Sequence, residues 1–176
     1  MTHTESVGHI SKEEVPVNRV LNRFHFIAQL ISVKPTLMDG NLEKPIQKGD
    51  LCILKSAIED KINPIAEAII IKTQPNLEEL KTKNYDGTNW PYLHPKTAAY
   101  IREKGIRHLL IDQPSVDKEF DDGMLLSHRA FWDYPSTLDQ ESTITEFIGV
   151  PDELKDGMYL LNLSISNLKN DASPSR

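Results

Sequence analysis

The chain has 176 residues, of which 39% are hydrophobic and 26% are charged, and its formal net charge is −6. This length predicts one domain, residues 1–176, that is large enough to bury a sizeable core. The negative charge argues against nucleic-acid and anionic-membrane partners, and no apolar run approaches the roughly 20 residues that cross a bilayer.

The predicted elements of the first half are strands separated by polar connections. Residues 24–32 combine aromatic and β-branched side chains before the breaker Pro35, which predicts a strand. Residues 51–55 and 68–72 are short, nearly continuous apolar runs, typical of strands that are buried on both faces. The segment between the first two strands is rich in Pro, Gly and Asp and is predicted to be a loop.

Cys52 lies within the second of these strands and is the only cysteine of the chain. A single cysteine excludes an internal disulfide and fits a reducing compartment. The apolar neighbours favour a small buried side chain over a nucleophile. Because no basic segment followed by an apolar stretch opens the sequence, we expect no signal peptide and a cytoplasmic location.

The second half contains the clearest predicted helix, at residues 96–104. Pro95 suits its first turn and Gly105 suits the position just after its end. Strands are predicted at residues 106–111 and 158–166, the first of them followed by the polar turn QPSVD. A helix, a tight turn, an apolar strand and a polar loop in this order indicate α/β layer packing, with functional groups at the carboxyl end of the strand.

The segment THTESVGH, residues 2–9, places two histidines and one glutamate close together. If the segment is extended, His3 and Glu5 share one face, because side chains two residues apart point the same way. His9 can join them only if the chain turns, which Gly8 permits. The segment is therefore either a solvated polar tail or part of a zinc or manganese site, since imidazole and carboxylate groups are ligands of both metals.

Two later segments contain further possible ligands. LLSHRAFW carries His128, and TITEFIGV carries Glu146. A histidine among apolar residues is usually a core residue, and a lone glutamate is usually solvated. Both become candidates only if the fold brings them to the N-terminal cluster.

Six segments together resemble one known family. THTESVGH resembles the end of the signature His-x-Gly-Thr-His-x-Asp-x-Pro-x-His of the cyclase family of metal-dependent hydrolases, which includes bacterial kynurenine formamidase. YLHPKTAAYIREKG and GIRHLLIDQPSVD resemble the family's helix and the strand that ends in Asp-x-Pro-Ser-hydrophobic-Asp. SHRAFW and TITEFIGVP are similar to its later metal-binding segments, and NDASPSR to its Asp-x-Ser-Pro-x-Arg.

This resemblance implies a swivelling β/β/α domain, that is an α/β fold with a mixed sheet and flanking helices, usually in homo-oligomers. It implies that the ligands of a divalent metal, Zn or Mn, are His3, Glu5, His128 and Glu146. It also implies that His9 is the catalytic acid/base group. Glu141 is the alternative to Glu146 as the glutamate ligand.

The sequence departs from the family signature at three positions. Met1 stands where the signature has glycine, so the first histidine of the signature is absent from this chain. Glu5 replaces an aspartate and Val7 replaces a proline. We expect a chain that is truncated at the N-terminus and at the C-terminus, and we expect that it binds metal weakly and hydrolyses N-formylkynurenine poorly by itself.

Three functions are consistent with these residues. The first is metal-dependent hydrolysis of a small amide, of the arylformamidase type. The second is opening of a cyclic amide or lactone by the same chemistry. The third is a non-catalytic fragment that keeps the fold without holding metal.

Five other residues have two interpretations each. Asp112 and Asp117 either orient histidine ligands or cap the turn around the Pro-Ser pair. Trp90, Tyr92 and Trp132 either line a pocket for an aromatic ligand or belong to the core.

Overall fold

The computed structural model of the protein describes residues 1–40, 42–75 and 83–176. In this part of the chain the strands are His3–Glu5 (β1), His25–Val33 (β2), Thr36–Leu37 (β3), Leu51–Ile53 (β4), Ala68–Thr73 (β5), Tyr92–Leu93 (β6), His108–Ile111 (β7), Thr143–Glu146 (β8), Gly157–Asn162 (β9) and Ala172–Pro174 (β10). The α-helices are Val17–Val20 (α1), Pro95–Glu103 (α2) and Leu126–Trp132 (α3), and Val7–His9 and Lys55–Ala57 form 3-10 turns.

Seven of the described strands form a mixed sheet in the order β10-β1-β8-β7-β5-β2-β9. The four central strands β8, β7, β5 and β2 run parallel, which explains why β5 and β7 read as continuous apolar runs. The two flanks are antiparallel, with β9 on β2 and with β1 between β8 and β10. A smaller sheet contains β3, β4 and β6. The sheet therefore carries the N-terminal segment and the C-terminal segment as neighbours at one edge.

Helices α2 and α3 pack against each other and bury their apolar faces against one side of the large sheet. Helix α2 begins at Pro95, whose ring suits the first turn, and Gly105 follows it with a positive φ of 80°. Ala98 and Ile101 of α2 and Trp132 of α3 are fully buried in this core. Among the described residues no helix is long and apolar enough to cross a membrane.

The predicted strands and the predicted helix are confirmed, with different ends. The strand predicted at 106–111 begins at His108, because the amide of Ile106 still bonds to Ile101 of the preceding helix. The strand predicted at 158–166 ends at Asn162, where the chain leaves β2 and pairs with the C-terminal segment through Ile165. The strand predicted at 51–55 ends at Ile53, because a 3-10 turn follows. Two of these ends are set by local hydrogen bonding, and the end of β9 is set by tertiary pairing.

Candidate metal centre

Strand β1 places two of the predicted ligands on one face of the sheet. His3 and Glu5 are two residues apart in an extended strand and therefore point the same way, and Glu5 is fully buried. Strand β8 pairs antiparallel with β1 so that Glu146, its last residue, lies opposite His3. Helix α3 supplies His128, which is buried. The sheet register thus brings together residues that are more than a hundred positions apart.

Glu5 lies at the centre of this arrangement. Its Oε1 atom is 2.8 Å from His128 Nε2. Its Oε2 atom is 3.4 Å from His9 Nε2 and 3.8 Å from His3 Nε2. Glu146 completes the cluster, with Oε1 3.5 Å from His128 Nε2 and Oε2 3.5 Å from His3 Nε2. All five residues predicted from the sequence therefore meet in one place, and their roles as ligands and acid/base group stay predictions.

The side chains form two overlapping groups of three possible ligands. One group is Glu5, His9 and His128, and the other is His3, Glu5 and Glu146; within each, the ligand atoms lie within 4.8 Å of one another. Glu5 is common to both. Its Oε2 atom is buried and has no hydrogen-bond partner in the described structure, which is costly for a carboxylate oxygen. A cation would satisfy this oxygen, and imidazole nitrogens with carboxylate oxygens suit zinc and manganese, so the residues fit a divalent metal.

The electrostatics of the cluster agree with a site built for positive charge. Burial and the neighbouring Glu5 carboxylate raise the pKa of Glu146 to about 8. Burial disfavours a charged His128, but Glu5, Asp117 and Glu146 outweigh it and hold the pKa of His128 well above its usual value. Without a cation the cluster therefore retains protons that a bound metal would displace.

Asp117 fixes the orientation of His128. Its Oδ2 atom is 2.7 Å from His128 Nδ1 and accepts from the His128 amide at 3.1 Å, while Oδ1 accepts from the Ser127 amide at 2.8 Å. The charged His128 ring and these amides outweigh burial and hold the pKa of Asp117 below its usual value. Asp117 thus orients a histidine, which is one of its two predicted roles, and its carboxylate caps the start of α3 and not the turn around the Pro-Ser pair.

Asp112 bonds to strand β5 and to none of the described histidines. It accepts from the amide of Thr73 at 2.7 Å and from its hydroxyl at 2.9 Å, and no described histidine contacts it. Burial raises the pKa of Asp112 to about 6. The interpretation of Asp112 as a residue that orients a histidine is therefore wrong, and its carboxyl group joins the ends of β5 and β7.

The segment around His9 shows two features that sequence analysis did not identify. Asp171 Oδ2 lies 3.1 Å from His9 Nδ1, and the only signal for it was the similarity of NDASPSR to the family's C-terminal motif. The turn before His9 needs Gly8 for a reason other than a positive φ. A Cβ atom on Gly8 would lie 2.6 Å from the Val15 carbonyl oxygen, so only glycine allows this close backbone approach.

Glu141, the alternative glutamate, lies outside the cluster. Its side chain is 70% exposed and forms an ion pair with Arg107 at 3.2 Å.

The three aromatic residues are buried. The Trp90 indole donates to the Asp117 carbonyl oxygen at 3.3 Å. Tyr92 donates to Asp50 at 2.6 Å and packs near Cys52 in a separate cluster. Trp132 lies in the core, with its ring centroid 5.7 Å from that of His128. Cys52 is fully buried, as predicted, and burial raises the pKa of its thiol to about 11.

Comparisons with known proteins identify the family. The model of the Cyclase family, described as "Putative cyclase", matches residues 1–118, which is more than half of the chain. The chain belongs to the cyclase family of metal-dependent hydrolases. A search of curated proteins found no match to this cyclase-family chain.

Solved structures of low sequence identity share the fold of this chain. A "potential metal-dependent hydrolase with cyclase activity" has a TM-score of 0.67 at 17% identity, over 99% of this chain and 75% of that chain. A "predicted metal-dependent hydrolase" from Bacillus stearothermophilus has a TM-score of 0.67 at 16% identity, over 99% and 73%. Isatin hydrolase A from Labrenzia aggregata, bound to benzyl benzoate, has a TM-score of 0.64 at 14% identity, over 98% and 69%. The predicted α/β fold of the cyclase type, with a mixed sheet and flanking helices, is confirmed.

Proposed function

We propose that this cyclase-family chain hydrolyses a small amide with the help of a divalent metal, in the manner of an arylformamidase such as kynurenine formamidase. The observation that carries the proposal is the pair of ligand groups that share Glu5. Each group offers three donors, the number that catalytic zinc sites usually take from the protein.

Four residues of the cluster are assigned to metal binding, and the fifth, His9, is assigned to proton transfer. His3, Glu5, His128 and Glu146 would hold the cation, Zn or Mn. A divalent metal in such a site supplies a water of lowered pKa and polarises a carbonyl group. Asp117 keeps His128 Nε2 directed at Glu5, and the Val116 amide, which donates to Glu146 Oε1 at 2.7 Å, fixes the second carboxylate.

His9 is the residue best placed to move protons. Its side chain is 41% exposed, whereas Glu5 and His128 are buried, so its ring can reach both the cluster and a substrate from solvent. We assign Nε2 as the atom that takes a proton from the attacking water and delivers it to the leaving nitrogen. An imidazole suits this work because its ordinary pKa lies near neutral pH.

A second candidate is the opening of a cyclic amide or lactone. The isatin hydrolases among the similar structures favour it, since the same residues could direct water to a ring carbonyl group. The substrate, a small molecule in either case, the homo-oligomeric state and the identity of the metal stay predictions.

The test begins with the metal. The purified chain is stripped of metal, titrated with Zn²⁺ or Mn²⁺, and assayed with N-formylkynurenine, isatin and a simple lactone. We expect weak metal-dependent hydrolysis by this chain, which Glu5→Gln abolishes and which the control Glu141→Gln, at an exposed position, leaves unchanged. A chain with an N-terminal extension ending in His-x-Gly shows whether the first histidine of the family signature strengthens binding.

His9→Ala separates the two roles that geometry allows for His9. If His9 moves protons, the variant binds metal with unchanged affinity but loses turnover. If His9 is a ligand, metal affinity falls together with turnover. A chain that binds no divalent metal, with or without the extension, would refute the proposed function and leave the non-catalytic interpretation.

A further inference from the structure

Asp171 is the only described residue outside the ligand cluster whose side chain makes a polar contact with the His9 ring. Its Oδ2 atom lies 3.1 Å from His9 Nδ1, on the opposite side of the ring from Glu5. The imidazole thus lies between two carboxylates, and each of its nitrogens faces one of them.

Hydrogen bonds fix the backbone from which the Asp171 side chain extends. The Ser6 amide donates to the Asp171 carbonyl oxygen at 2.9 Å, and the Val17 amide donates to the Asn170 carbonyl oxygen at 2.8 Å. Strand β10 begins at the next residue, Ala172, and pairs with β1 through Glu5. The Asp171 backbone is therefore bonded to the residue that follows β1, the strand that carries His3 and Glu5.

His9 is also fixed at its backbone, because its amide donates to the Ser6 carbonyl oxygen at 3.0 Å in the 3-10 turn. Ser6 consequently bonds to both residues: its carbonyl oxygen accepts from the His9 amide, and its own amide donates to the Asp171 carbonyl oxygen. The ring is half-exposed, and the tilted His128 ring lies 5.9 Å from it. Its orientation and its tautomer therefore depend on the two carboxylates that face its nitrogens, Asp171 at Nδ1 and Glu5 at Nε2.

We propose that Asp171 is a positioning residue that keeps the Nδ1 atom of His9 protonated and directs Nε2 towards Glu5. The catalytic consequence rests on the proposed function, because it assigns the transferred proton to Nε2. A histidine whose Nδ1 proton is bonded to a carboxylate presents its Nε2 lone pair to a reacting group, which is the arrangement that a general base needs. Asp171 acts through His9 and not on the substrate.

The first test does not need activity. Long-range ¹H–¹⁵N spectra of the metal-free protein report which ring nitrogen of each histidine carries a proton, and His9→Ala identifies the His9 signals. We expect His9 Nδ1 to carry a proton in the wild type and to lose it in Asp171→Ala, in which Nε2 still faces the Glu5 carboxylate. The matched control is Glu14→Ala, which removes an exposed carboxylate of the same surface, 2.8 Å from Lys169 and without contact to His9. An identical His9 pattern in wild type and Asp171→Ala would overturn the proposal.

The second test uses kinetics with whichever substrate the wild type hydrolyses. We expect Asp171→Ala to lower kcat by about 10- to 100-fold, with KM and metal affinity unchanged. In a His9→Ala background the same substitution should have no further effect. Asp171→Asn, which keeps the side-chain shape, replaces the alanine variant if that variant unfolds, and the same loss of kcat is expected.

The outcomes distinguish the two proposals. A loss of metal affinity in Asp171→Ala would make Asp171 a ligand and overturn the positioning role. An equal effect of Asp171→Ala with and without His9 would also overturn it. If the wild type hydrolyses none of the substrates but the His9 tautomer changes as expected, the proposed function fails and the positioning role stands.

Discussion

Replacing Glu5 by Gln should remove most of the stabilisation that a divalent metal gives this protein. Glu5 is the one residue common to both ligand groups, and it is fully buried, with no hydrogen-bond partner for Oε2 among the described residues. An amide keeps the size of the side chain but cannot act as an anionic ligand. Each group then falls from three good donors to two.

The magnitude follows from mass action. A metal present at 100 times its Kd stabilises the wild type by about 2.7 kcal/mol, and a 100-fold weaker site leaves about 0.4 kcal/mol at the same concentration. For a chain of this size 1 kcal/mol corresponds to about 2–4 °C in Tm. We therefore expect a metal-dependent rise of about 5–11 °C in the wild type and about 1–2 °C in Glu5→Gln.

The assay is thermal unfolding of the metal-stripped protein with and without Zn²⁺ or Mn²⁺. Glu141→Gln is the control, because Glu141 is exposed and pairs with Arg107 away from the cluster. It should shift like the wild type. A full metal-dependent shift in Glu5→Gln, or a loss of the shift in Glu141→Gln, would refute the assignment of Glu5 as the shared ligand.

Three further substitutions test separate parts of the structure. Asp117→Asn should weaken metal affinity by about 10- to 100-fold in a titration, because the His128 ring would lose the carboxylate that orients it. An unchanged affinity would show that Asp117 only caps the start of α3. Gly8→Ala should lower the free energy of unfolding in urea by about 1–3 kcal/mol, since the added Cβ would lie 2.6 Å from a carbonyl oxygen. The control Gly149→Ala should have little effect, because a Cβ at that position would have no atom within 4 Å. Equal losses in the two alanine variants would contradict this. Burial lowers the pKa of His108 to about 4. Between about pH 6.5 and pH 4 the unfolded chain therefore binds a proton at His108 that the folded chain does not bind, so the free energy of unfolding decreases as the pH falls through this range. In His108→Gln this pH-dependent part of the free energy of unfolding, up to about 3 kcal/mol in the wild type, should be absent when unfolding is compared at pH 7 and pH 4.5. An equal decrease in the free energy of unfolding of wild type and variant between the two pH values would contradict it.

The local sequence determined the interior strands and the main helix. The apolar runs of β5 and β7 can only be buried on both faces, and Pro95 with Gly105 marks the two ends of α2. The family motifs in order identified all five residues of the cluster. Composition and local pattern suffice for these features because each depends on residues close together in the chain.

Only the tertiary structure decided how these pieces meet. The antiparallel register of β1 against β8 places His3 opposite Glu146 and leaves Glu141 exposed, a choice that the sequence left open. The pairing of β1 with β10 brings Asp171 to His9 across 162 positions. Strand register and the contacts between chain ends are long-range properties, which local sequence does not encode because a side chain's partner depends on where the whole sheet places it.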